Sequence, residues 1–162
     1  MADRPARFHT FYEGERASLI RAITLVTGDV DRAADAVDEA MAKAFAHWSS
    51  VGAYDNPARW VYRVAHNEAI SSWRKRRRES VSAYVPDPTW VDPEIPDQEM
   101  ADAVSSLPDA YREVIVLRYY LDWTQPQIAE SIGVPLGTVK SRIGRALGHL
   151  REEVGLALKP TG

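Results

Sequence analysis

Apolar positions recur with a helical period along most of this chain. The clearest run is Val30, Ala33, Ala34, Val37, Met41, Ala44, Phe45 and Trp48, spaced i, i+3, i+4, i+7, i+11, i+14, i+15 and i+18. That spacing draws one continuous apolar stripe down a helix. A helix-compatible stretch from Phe8 to Val26 precedes it. Thr27-Gly28-Asp29 separates the two, with the glycine closing the first helix and Asp29 placed to cap the second. Tyr54-Asp55-Asn56-Pro57 reads as a turn that delivers a proline to the first turn of a third helix, predicted to run to about Arg78. On that helix Val61, Val64, Ala65 and Ser72 share one side, with Trp60 at its margin. Arg59, Arg63, His66, Asn67, Ile70 and Arg74 share another, and Tyr62 and Trp73 fall between.

The second half of the chain follows the same logic with shorter elements. Met100, Ala103, Val104 and Leu107 predict a short amphipathic helix that Pro108 closes, and Asp109 to Leu121 predicts another with Tyr111, Val114, Leu117 and Leu121 as core. Thr124-Gln-Pro-Gln127 has the form of a capping box. It opens a short helix Gln125–Ile132 burying Ile128, Ala129 and Ile132, and Gly133 breaks it. A turn of about three residues leads into a longer helix from Leu136 to about Glu153, with Val139, Ile143, Ala146, Leu147 and Leu150 inward. Short helix, glycine turn and longer helix together are the signature of a helix-turn-helix. The polar face of the last helix shows Thr138, Ser141, Arg142, Arg145 and His149, flanked by Lys140, with no acid among them. Hydroxyl and guanidinium groups so arranged suit phosphate contacts at a helix start and bidentate reading of guanine in a major groove.

Between the halves, Ser80 to Pro96 carries Pro86, Pro88, Pro93 and Pro96 with Asp87, Asp92 and Glu94. Proline at that density forbids a helix and favours extended backbone. The fold class is therefore all-α, two small helical domains on a proline-rich acidic linker. The expected bounds are 1–79 for the first domain, 80–96 for the linker, 97–154 for the second domain and 155–162 for a tail. Seventeen extended residues span roughly 55 Å, the length of about sixteen base pairs of duplex.

Net charge sharpens this division. The whole chain sums to −3, which by itself argues against a nucleic-acid partner. Resolved by segment, residues 57–79 carry +5, residues 80–110 carry −7 and residues 136–151 carry +4. Two basic blocks separated by acid are a partner signal that the total conceals. The helix of Arg59 to Arg78 mixes arginine with aromatic rings, the combination that single-stranded nucleic acid requires. Opposite the stripe of the second helix lie Asp31, Asp35, Asp38, Glu39 and Lys43. Periodicity alone favours a solvated acidic face there; the other reading is a docking face for a basic partner.

Composition removes further classes. There is no cysteine, so disulfides, thiol catalysis and cysteine-ligated zinc are excluded. His9, His47, His66 and His149 have no metal-ligand spacing, and no cofactor is expected. No apolar run approaches a membrane span, and the first residues lack the apolar core of a signal peptide. A cytoplasmic protein is the expectation, with no further domain after the last helix.

The residues resemble the extracytoplasmic-function sigma factors of bacterial RNA polymerase, within the sigma-70 family. Gly28-Asp29, Ala34–Glu39 and Phe45–Trp48 are similar to the family's polymerase-binding segment. Trp60–Asn67 followed by Trp73-Arg-Lys-Arg-Arg is similar to its −10 recognition helix. Leu107-Pro108, Tyr111–Arg118, Ile128-Ala129, Gly133 and Gly137–Arg142 are similar to its −35 reader. The sequence differs from the common pattern at Asp38, His66, Ser71 and Pro135.

The resemblance implies a non-enzymatic factor that binds core RNA polymerase and directs promoter-specific initiation. Asp35, Asp38 and Glu39 would dock on the clamp helices of the largest catalytic subunit. Tyr54, Asp55, Asn56, Arg59, Trp60, Arg63, Asn67, Trp73 and Arg74 would hold the melted −10 strand of promoter DNA. Thr138, Lys140, Ser141, Arg142, Arg145 and His149 would read the −35 duplex. An anti-sigma factor is a further partner that many family members have. Two rival readings are a stand-alone helix-turn-helix regulator with a helical dimerisation or effector domain, and an adaptor that binds another regulator through the acidic face. The first explains poorly why the N-terminal half also carries a basic aromatic helix.

Overall fold

The computed structural model describes residues 3–79 and 98–154. The linker, the tail and the side chains of Ser72 to Glu79, of Gln98 to Met100 and of Val154, among them Trp73 and Arg74, lie outside the described residues. The chain divides into two compact units, Met1–Asp87 and Pro88–Gly162. No strand occurs among the described residues.

The first unit begins with α1 (Arg4–Thr27), four residues earlier than the apolar pattern indicates, because Pro5 suits a first turn. Gly28 ends it in the left-handed region at φ 79°, returning its N–H to Thr24 O at 2.7 Å. Asp29 then caps α2 (Val30–Ala46) by accepting from Arg32 N at 3.0 Å. Helix α2 is wedged between α1 and α4 (Pro57–Glu79). Its buried band is accordingly wider than one stripe and includes Ala36 and Ala40 besides Ala33, Val37, Met41 and Ala44. Val30 and Phe45, expected in the stripe, are 39% and 44% exposed at its edges. Trp48 belongs to a separate short helix, α3 (Trp48–Val51), where the chain bends at His47. Helix α4 contributes Ala58, Val61, Tyr62, Ala65 and Ala69 to the core, while Val64 is half-buried.

The second unit packs α5 (Gln98–Ser106) and α6 (Asp109–Ile115) against α8 (Leu136–Val154), around Ala103, Leu107, Ile115, Ala146 and Leu150. The expected single helix from Asp109 to Leu121 instead widens into a π-turn at Val116–Tyr120. Leu121 N reaches Val116 O at 3.1 Å, five residues back. The widened winding buries four consecutive residues, Val114 to Leu117, and leaves Tyr111 and Leu121 half-buried instead of in the core. The chain then reverses at Asp122, the one non-glycine residue with positive φ among the described residues, at 60°.

Helix α7 (Gln125–Ile132) starts on the capping box: Gln127 N donates to Thr124 Oγ1 at 3.2 Å and Thr124 N donates to Gln127 Oε1 at 3.0 Å. Gly133 closes it at φ 71°, and Pro135 O receives the first N–H groups of α8 from Thr138 and Val139. Ile128 is fully buried, but Ala129 and Ile132 are only half-buried, and Ser131 takes an inward place with its hydroxyl donating to Gln127 O at 2.7 Å.

Candidate nucleic-acid and polymerase surfaces

Three surfaces carry the residues singled out from the sequence. The first is the outer face of α2. Asp35, Asp38 and Glu39 are all exposed, yet their carboxylates differ in commitment. Asp38 receives Arg16 Nε at 2.7 Å on Oδ1 and Arg16 Nη2 at 3.0 Å on Oδ2. The hydrogen bonds and charge of Arg16 hold the Asp38 carboxyl below the usual aspartate range. Glu39 meets Lys43 only loosely at 3.8 Å. Among the described residues, no side chain pairs with Asp35. Arg16 was not singled out from the sequence, since it lies 22 residues from Asp38 and no local spacing links them.

The second surface is the turn before α4 and the exposed side of that helix. Tyr54 is 50% exposed and Asp55 is exposed. Asn56 is half-buried because Oδ1 caps α4, accepting from Ala58 N at 3.1 Å. Arg59, Trp60, Arg63 and Asn67 fall on one face by helical spacing. Arg63 and Asn67 are exposed, Arg59 and Trp60 half-buried. Tyr62, placed between faces by the sequence, is buried, and His66 stacks on it with ring centroids 5.6 Å apart at 16°. That contact keeps His66 as part of the packing at the margin of the polar face. Such a surface offers one exposed ring, an amide and guanidinium groups, which together suit unpaired bases and phosphates.

The third surface is α8. Lys140, Ser141, Arg145 and His149 are exposed, and Thr138 and Arg142 are half-buried. Val139, Ile143, Ala146 and Leu150 fix the opposite side in the core. The line pointing most directly outward is Gly137, Ser141, Gly144 and Gly148; an added Cβ at any of these three glycines would meet open space. His149 stands apart from the other five, its ring tilted against Tyr111 at 5.7 Å near the start of α6. At 1.5 Å per residue it lies about 16 Å along the axis from Thr138. The end of α8 that follows the glycine turn therefore concentrates Thr138, Lys140, Ser141, Arg142 and Arg145.

Among the described residues, no group of three or more acidic or histidine side chains is placed to hold a metal ion. None of the described helices is long and apolar enough to cross a membrane.

A family model for Sigma-70 region 2 matches residues 11–79, and one for Sigma-70, region 4 matches residues 97–150. The ECF RNA polymerase sigma factor SigL of Mycobacterium tuberculosis is 32% identical, over 96% of this chain and 94% of its own. SigW of Bacillus subtilis, likewise an ECF RNA polymerase sigma factor, is 30% identical over 78% of each chain. Among solved structures, the sigma factor RpoE of Bartonella quintana, crystallised with the anti-sigma factor NepR, superposes with a TM-score of 0.81. It is 25% identical, over 93% of this chain and 98% of its own. CnrH, solved with the cytosolic domain of CnrY, shares the fold with a TM-score of 0.64 at 18% identity, over 97% of this chain and 92% of its own.

Proposed function

The chain belongs to the extracytoplasmic-function sigma factors of the sigma-70 family and has the function of an RNA polymerase sigma factor, and on that premise we propose how its surfaces divide the work. The acidic face of α2 meets core polymerase, at the clamp helices of the largest catalytic subunit, chiefly through Asp35 and Glu39. The Tyr54–Asn56 turn and the Arg59, Trp60, Arg63 and Asn67 face of α4, together with Trp73 and Arg74, take the melted −10 strand. Thr138, Lys140, Ser141, Arg142 and Arg145 read the −35 duplex, with His149 at the far edge. The chain supplies recognition and the polymerase supplies the chemistry, in the cytoplasm where the polymerase works. The RpoE neighbour was crystallised with an anti-sigma factor; we extend that class of partner to this chain.

The observation that carries this reading is the pairing, in one short chain, of a reader helix that holds no acid from Leu136 to Arg151 with a second basic and aromatic helix behind a turn. A helix-turn-helix repressor needs only the first of these. Neither unit offers many phosphate contacts, so tight promoter binding requires that polymerase hold both at once, an effective-concentration effect.

Run-off transcription with purified core polymerase tests the proposal. Promoter-specific RNA that depends on both elements, with weak footprints by the protein alone, is the expected result. Tight sequence-specific protection without polymerase would favour the stand-alone regulator, and neither transcription nor DNA binding would favour the adaptor.

A further inference from the structure

Helix α8 carries three glycines that its own fold does not call for. Gly137, Gly144 and Gly148 stand at i−4, i+3 and i+7 from Ser141, which sets all four on one line of the helix. Glycine weakens a helix interior relative to alanine, and the usual reasons for one are a left-handed backbone or a neighbour pressed against it. Neither holds here. An added Cβ at any of the three meets open space, and none of them has a positive φ. The reason therefore lies outside the chain. Longer polar side chains flank the line, with Thr138, Arg142 and Arg145 on one side and Lys140 on the other. No acid occurs from Leu136 to Arg151. Among the described residues, no side chain pairs with Lys140, Arg142 or Arg145. The Ser141 hydroxyl is exposed. Unlike that of Ser131, which donates to Gln127 O, it makes no hydrogen bond among the described residues.

A hydroxymethyl group is a very short polar side chain, so it touches a base edge only where the helix backbone itself lies against the groove floor. The major groove is about 12 Å wide, and a helix with its side chains is about 10–12 Å across. A bulkier outward line would fill the groove before the backbone came near the bases. We propose that Gly144, helped by Gly148, is a positioning residue of the −35 reader. It keeps side chains out of the space between α8 and the bases, so the helix seats one side-chain layer deeper and Ser141 reaches a base edge. Gly144 lies about 4.5 Å along the axis from Ser141 and Gly148 about 10.5 Å, so Gly144 governs the clearance at the serine. A line of small residues also suits a partner helix in general. Cations on both flanks, with no acid among them, favour a polyanion instead. The proposal rests on reading α8 as the −35 contact.

The test uses holoenzyme, core polymerase with the full chain, transcribing from promoters with intact and scrambled −35 elements. Gly144→Ala and Gly144→Leu should both raise the unfolding temperature of the second unit in the full chain, Ala by about 4–8 °C, because each is the better helix former. Both should nonetheless lower the preference for the intact −35 element, Leu by about 3- to 10-fold and Ala by less. Gly148→Leu should do so less than Gly144→Leu. Ser141→Ala should cost about as much as Gly144→Leu on its own and nothing further in the Gly144→Leu background, the non-additivity of two residues that act through one contact. An unchanged preference in Gly144→Leu would overturn the proposal, as would additive losses in the double variant. So would loss of core assembly in a pull-down, which would assign the strip to a protein helix. Arg142→Ala, measured in parallel, separates the two readings. If it lowers the preference while Gly144→Leu does not, only the seating of the helix fails; if neither matters, the −35 assignment fails with it.

Discussion

Arg16 of α1 grips Asp38 of α2 with two parallel contacts of 2.7 and 3.0 Å, although their side chains are 37% and 46% exposed. The pair ties the two helices together and removes Asp38 from the charge that the α2 face offers outward. Asp35→Ala or Glu39→Ala should therefore reduce affinity for core polymerase several-fold, and Asp38→Ala should do so less. A titration of labelled protein with core polymerase checks the order. A dominant effect of Asp38→Ala would show that the Arg16 pair opens on docking.

The same pair sets a pH dependence. Because Arg16 holds the folded Asp38 carboxyl below its ordinary value, its contribution to stability is complete above about pH 4. It is lost as pH falls through the depressed folded value. Glu15 runs the other way: burial raises its carboxyl, so the fold favours its protonated form and loses that advantage as pH rises through the raised value. Asp38→Asn should lower the unfolding temperature of the first unit at pH 7 and change it less near pH 3. Glu15→Gln should raise it slightly at pH 7. Screening limits the exposed ion pair to about 1 kcal/mol or less. Thermal unfolding of the wild type and both variants at pH 7 and pH 3 measures both signs.

Asp122 carries φ 60° two residues after the π-turn. Its carboxylate is 94% exposed and only 3.8 Å from Arg118, a weak compensation. A left-handed conformation costs a non-glycine residue about 1–2 kcal/mol, less for aspartate. Asp122→Gly is expected to stabilise the second unit by about 0.5 kcal/mol and Asp122→Val to destabilise it by more. Denaturant unfolding of the full chain, followed by NMR signals of the second unit, reads the change.

Arg142 and Arg145 lie on the polar side of α8, away from its core-facing residues. Arg142→Ala should cost about 1–3 kcal/mol of −35 discrimination, leaving core assembly and fork-junction binding at the −10 element unchanged. Transcription from promoters with intact and scrambled −35 elements tests this. Loss of core binding in a pull-down would sink the assignment.

Much of the architecture is written in the apolar period, because a helix packed on one side needs little else. The starts of α2 at Val30, α7 at Gln125 and α8 at Leu136 follow from Asp29, Thr124 and the glycine turn, all local signals. The departures arise where tertiary neighbours decide. Ala36 and Ala40 are buried because α2 has partners on two sides. The π-turn needs a bond five residues back that no period announces. For the candidate surfaces, sequence gives the composition of each face but not what its side chains are already doing. Asn56 spends an oxygen on a cap, Asp38 is held by Arg16 and His149 leans on Tyr111.

The outward line of α8 has one more implication. Gly137, Gly144 and Gly148 lie within a helix of 19 residues, each beside open space. At about 1 kcal/mol each relative to alanine, they leave the isolated segment below the threshold for a stable helix in water. A synthetic peptide of residues 136–154 would be mostly coil. The shape that presents Thr138, Arg142 and Arg145 is imposed by contact with α5, α6 and α7, so the reader cannot be transplanted as a helix and must travel as a whole unit.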